Sequence, residues 1–150
     1  MKTTATLFFF VYLLTIRCGF TQDSKSQVSI ITGKINISRY HNYEQLNQKN
    51  KEILLNLYIE RLEVILNILP NIAFGTESNV SIKSLGMHET KNNKKILKKQ
   101  HMATANFIES STAYQKAILP YSNKSDLVTA ILFYEDLLKS LYTYKDFRND

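Results

Sequence analysis

The sequence predicts an all-α fold: a three- to four-helix antiparallel bundle with an N-terminal extended arm and a long loop after the first helix. Three observations carry that expectation. Two long segments place apolar residues at helical spacing and end at Leu69-Pro70 and Leu119-Pro120, where proline lacks an amide donor and disfavours helix in the residue before it. A third segment of the same period runs from Ser125 with Asp126 to about Tyr144. The composition, 44% hydrophobic and 21% charged with four Gly and two Pro, excludes collagen-like, disulfide-scaffold and wholly disordered chains. At 150 residues there is room for one substantial core.

The chain divides into residues 1–22, 23–40 and 41–150. Met1 to Gln22 begins with Lys2, continues as an apolar run from Leu7 to Ile16 and ends in Cys18-Gly19-Phe20-Thr21-Gln22. That order is expected of a secretory signal peptide cut near Thr21 to Asp23, and it points to a secreted or periplasmic mature chain. The run is about half the roughly 20 residues a stable membrane span needs, and Arg17 closes it. Acylation at Cys18 is disfavoured by the long cation of Arg17, where a small side chain is required. With Cys18 lost in the leader the mature chain has no thiol, which excludes disulfides, thiolate metal sites and a cysteine nucleophile.

Residues 23–40 start polar and then carry Val28, Ile30, Ile31, Ile35 and Ile37 around Thr32-Gly33-Lys34. They are expected to form an extended arm, as a single strand or a hairpin laid on the helices, since an isolated hairpin is marginal in water. The first helix is expected from Tyr43 to Leu69. Its polar positions Glu52, Asn56, Glu60, Glu63 and Asn67 make one narrow stripe, and apolar residues take most of the rest. Such a helix needs cover on several sides, as the centre of a bundle or as one face of a homo-oligomer. Asn71 to Asn93 is a long connector, in which Ser81 can cap a short turn stopped by Gly86, with a short strand on Val80 and Ile82 as the alternative. Connectors of this length tend to carry function.

The second helix is expected from an N-cap at Thr90 to Leu119, with a core stripe of Ile96 or Leu97, Gln100, Ala103, Phe107, Ser111, Tyr114 and Ile118. The third is expected to bury Leu127, Ala130, Ile131, Tyr134, Leu137, Leu138 and Leu141.

The most visible charge feature is the set Lys91, Lys94, Lys95, Lys98 and Lys99, followed by His101. Cations at a helix N-terminus oppose the macrodipole, so helix stability does not explain them. Their spacing puts them on one broad face, suited to an acidic protein or an anionic envelope component or to keeping the domain soluble. Nucleic acid is not expected as a partner, because interleaved aromatics and arginines for base readout are missing, and removal of Lys2 and Arg17 lowers the net charge from +6 to +4.

His88 and His101, with Met87 and Met102 beside them, suggest a soft copper site as an alternative, although adjacent residues on a helix diverge by about 100°. Glu60 and Glu63 are spaced for a cation or for acid and base work, but their polar stripe reads as a solvated edge. Asn36, Asn79 and Asn123 head formal glycosylation triplets at a frequency that chance supplies. Tyr114, Tyr121, Tyr134, Tyr142 and Tyr144 gather near the C-terminus as rim or interface residues. No H-E-x-x-H, Gly-x-Ser-x-Gly or phosphate-cradling glycine loop is present. The expectation is therefore an exported, non-catalytic helical protein that binds another macromolecule, with no cofactor and no metal; a small-ligand or copper-binding bundle is the alternative.

Overall fold

Helix formation begins at Asn42, whose side chain accepts from the amide of Gln45 while the Gln45 side chain accepts from the amide of Asn42. This reciprocal capping box satisfies two end donors and starts α1, Tyr43–Asn47. A second cap follows at once. Asn50 accepts from the amide of Ile53 at 2.9 Å and starts α2, Lys51–Ile68. The long first helix expected from Tyr43 to Leu69 is thus broken at residues 48–50, because Asn50 competes for backbone donors better than it continues a helix. The break seats Leu46 against Leu54 and Leu127 in the core.

The computed structural model describes residues 28–75 and 79–148, with side chains as far as Leu141. The expected leader, Cys18 and the start of the arm lie outside the described residues. Pro70 falls in a 3-10 turn, Leu69–Asn71, at the end of α2. In the connector, Ser81 Oγ accepts from the amide of Ser84, and Gly86 takes φ +77°, the left-handed conformation that glycine adopts without steric cost. The sequence reading of a capped turn there is the observed one. Thr90 Oγ1 accepts from the amide of Asn93 at 3.1 Å and opens α3, Lys91–Ile118. A second proline turn, Leu119–Tyr121, leads into α4, Lys124–Arg148.

The three long helices pack together, with α2 between α3 and α4. One end of the core joins Leu46, Leu54, Ile59, Leu119, Leu127, Val128 and Ile131; the other joins Val64, Ile65, Ile68, Leu138 and Leu141. The face expected of the third helix is the one α4 buries, with Val128 and Glu135 added to it. The demand of α2 for cover on several sides is met within the chain.

Among the described residues no strand forms. Ser29 and Ser81 make an isolated antiparallel bridge, supported by the amide of Ile30 donating to Val80 O at 2.8 Å. Ile30 and Ile31 are buried with Ile82 and Leu97, and Ile35, Ile37 and Tyr40 pack on the α2/α4 core. The arm therefore crosses the bundle singly, without a hairpin. At its turn Gly33 has φ +91°, and a Cβ there would lie 3.1 Å from the Asn67 amide.

Candidate functional site

Two places gather chemistry: a sealed ionic joint beneath the arm and the outer surface of α3. The joint is made by Arg61 of α2, Glu135 of α4 and His41 at the end of the arm. Arg61 and Glu135 are both completely buried. Arg61 Nε and Nη2 donate to Glu135 Oε1 at 3.1 and 2.7 Å, Nη2 also to Arg39 O at 2.6 Å, and Nη1 to Leu57 O at 3.3 Å and to Glu60 Oε2. These bonds engage all five guanidinium hydrogens. His41 Nδ1, 3.1 Å from Glu135 Oε1, accordingly carries the proton and donates to that oxygen, while the His41 amide donates to Oε2 at 2.5 Å.

The sequence reading passed over this joint. Its signal was a lone cation within the apolar span of α2 and, in the Glu135-Asp136 pair, a carboxylate that falls within the buried face of α4. A buried charge is stable only when paired and hydrogen-bonded, so each implied the other. The chemistry is that of a clasp: the five guanidinium hydrogens of Arg61 and both carboxylate oxygens of Glu135 are bonded to protein.

Glu60 borders the joint and corrects a second expectation. Burial alone would raise its pKa, but hydrogen bonds from Lys34 and the Ser38 amide, with the charges of Arg61 and Lys34, outweigh that and hold the carboxyl below its usual value. The polar stripe of α2 is therefore not a solvated edge along its length. It passes under the arm, where Asn67 Nδ2 donates to Lys34 O at 3.2 Å. Glu63 shares with Glu60, Lys34 and Asn56 an open depression of about 360 Å³.

On α3 the structure places Lys91, Lys94, Lys95, Lys98 and Lys99 all in solvent. Lys94 pairs with Glu89 at 2.8 Å, and among the described residues no carboxylate lies within ion-pair distance of the other four. At about 100° per residue, Lys91, Lys94, Lys95 and Lys98 fill one sector, with Lys99 at its edge.

The core stripe expected for this helix is a correction. The buried or half-buried positions are Asn93, Leu97, His101, Thr104, Ile108, Ser111, Thr112 and Gln115, a set turned by about one residue from the expected one. Ile96, Phe107, Tyr114 and Ile118 are 41 to 62% exposed. Ser111 and the alternative Leu97 are the expected residues that do face inward. Leu97 packs with Ile30 of the arm and Ile82 of the connector, which fixes the side that α3 turns inward at its start.

The residues of the copper alternative are spread apart in role. His101 Nε2 lies 3.0 Å from Ile30 O, an acceptor, so that nitrogen is protonated and committed to the arm. His88 is exposed, Met102 is exposed, and Met87 lines an apolar cavity. No group of three His, Cys, Asp or Glu side chains suited to a metal ion occurs among the described residues. The cavity, about 340 Å³, lies between the arm, the connector and the start of α3, with Ile30, Phe74, Ile82, Leu85, Met87 and Ile96 in its wall.

Of the tyrosines, Tyr114 and Tyr121 are exposed, whereas Tyr134 is tucked against Tyr58 with the hydroxyls 3.0 Å apart. Burial and the Tyr58 hydroxyl push the Tyr134 pKa well above the ordinary phenol value. The side chains of Tyr142 and Tyr144 lie outside the described part of the chain. No described helix is long and apolar enough to cross a membrane. The chain matches no protein-family model, no curated protein and no solved structure.

Proposed function

We propose that this is an exported, non-catalytic binding protein that uses α3 to hold an anionic macromolecule, an acidic protein or an anionic component of the envelope. The observation that carries the reading is the exposed sector of Lys91, Lys94, Lys95, Lys98 and Lys99, in which only Lys94 has a described carboxylate partner. A cationic sector at a helix start works against the macrodipole, and a partner's negative charge offsets that cost. The leader supports export, and the commitment of Arg61, Glu135 and His41 to one another supports a role other than catalysis.

Reversal of Lys94, Lys95, Lys98 and Lys99 to Glu tests this. Capture of partners from the native envelope fraction should fall, and capture by the unaltered chain should weaken with added salt, while the melting temperature changes little. Undiminished capture by the reversed chain would return the lysines to a solubilising role.

The cavity favours a second reading, a site for a small apolar ligand. Its volume of about 340 Å³ sits at the lower end of small-molecule pockets, and Asn93 and Gln100 offer polar groups at its edge. Ile82→Trp would fill it; loss of an apolar fluorescent probe in that variant, with the lysines intact, separates this reading from the first.

A further inference from the structure

The apolar residues that α3 turns outward are regularly spaced. Ile96, Gln100, Ala103, Phe107, Ser110, Tyr114 and Ala117 follow intervals of four, three, four, three, four and three, and every one is exposed. This is the seven-residue period by which one helix packs along another. Ile96 and Gln100, at its N-terminal end, border the cavity under the connector, and Ala103 to Ala117 carry the stripe on beyond it. Large and small residues alternate within the stripe.

We infer that this stripe is the interface of an antiparallel homodimer, α3 against α3 of a second copy about a two-fold axis between Phe107 and Ser110. In that register Phe107 faces Ser110 of the partner subunit, Tyr114 faces Ala103 of the partner subunit, and Gln100 faces Ala117 of the partner subunit. Each bulky side chain meets a small one, the self-complementarity a two-fold interface requires.

Charge selects the same direction. The first eleven residues of α3 hold five lysines and no acid, whereas the remainder holds Glu109 and Lys116. A parallel pair would set five cations on five. The antiparallel pair carries Lys91, Lys94, Lys95 and Lys98 past the C-terminal end of the partner helix, away from the other five cations.

The area is that of a small interface. In this register residues 99–118 of the two helices overlap, about 30 Å of helix about 10 Å across, so the pair covers on the order of 600 Å² in projection and more once side-chain relief is counted, at the low end of specific interfaces.

Lys91, Lys94 and Lys98 point away from the stripe, with Lys95 to its side and Lys99 at its flank. The dimer leaves both sectors exposed, about 40 Å apart along the paired helices, so it would hold an extended polyanion at two points and gain from effective concentration. The homodimer stands whether or not the anionic partner does.

Sedimentation velocity of the whole purified chain across a concentration series reads the association. A shift toward dimer on concentration is expected, and Phe107→Glu should raise the dissociation constant at least about thirtyfold, the loss of one hot spot. Because Phe107 is already exposed, the variant should keep its helical circular dichroism. With Cys18→Ser as background, chains carrying Ala103→Cys are mixed with chains carrying Tyr114→Cys and oxidised. A disulfide joining the two kinds of chain supports the antiparallel register. Disulfides only between identical chains overturn it, as does a wild-type chain that stays monomeric to about 0.5 mM or a dimer indifferent to Phe107→Glu.

Discussion

α2 and α3 lie side by side and differ in nearly every respect. α2 buries seven of its 18 residues, Arg61 and Asn67 among them, whereas α3 buries two of 28, Leu97 and Thr112. The shorter helix is where the chain invests in a single structure, with charges placed where only one partner geometry satisfies them. The longer one is supported along one edge and otherwise presents itself to solvent. Overall hydrophobicity separates them, α2 being the more apolar, but it does not say which side of α3 is buried, because Phe107 and Tyr114 look as much like core residues as Leu54 and Val64 do. The difference comes from which side of each helix the arm and the connector occupy.

The sharpest way to break the contrast is to remove half of the ionic clasp. Glu135→Ala leaves Arg61 charged in the interior and should cost about 3–5 kcal/mol, read from urea unfolding. The double replacement Arg61→Met with Glu135→Leu should recover most of that, since the desolvation penalty then vanishes for both groups. Ile131→Ala, a fully buried position, should cost about 2–5 kcal/mol through lost burial and the space left behind. A smaller and pH-dependent effect is expected at Glu60. Its carboxyl is held below the ordinary value of 4.5, so its contribution is present above that value and lost as the pH falls through the lowered folded value. Glu60→Gln should therefore flatten the acid limb of the stability curve, and an unchanged limb would show that the arm is held without it. The smallest effect belongs to α3. Phe107→Ala should alter monomer stability by no more than about 0.5 kcal/mol, and a cost of several kcal/mol would place α3 on the same footing as α2.

Much of this was legible in the residues. Thr90, Gly86 and the two Leu-Pro pairs mark ends because caps and prolines act locally, and the α4 face follows from period alone. Three things were not. The interruption at residues 48–50 depends on Asn50 preferring a cap, a contest settled by whether Leu46 can reach the core. The rotation of α3 depends on the connector. Burial of Arg61 was hidden because a charged residue counts as surface until its partner, 74 positions away, is found. The lysines were identified in the sequence, and most of the apolar stripe was too, but as a core face; that it faces outward was legible only once the buried side of α3 was known.

His41 and Glu135 are separated by 94 positions. A ribosome delivers the chain from its N-terminus, so Arg61 has only the neighbouring Glu60 as a counter-charge until Glu135 is made, and the last helix must emerge before the clasp can close. Until then the end of the arm lacks its seat against α4, although Ile30 and Ile31 already have Ile82 and Leu97 to dock on. A nascent polypeptide of this design stays unlocked for most of its synthesis and locks at the end.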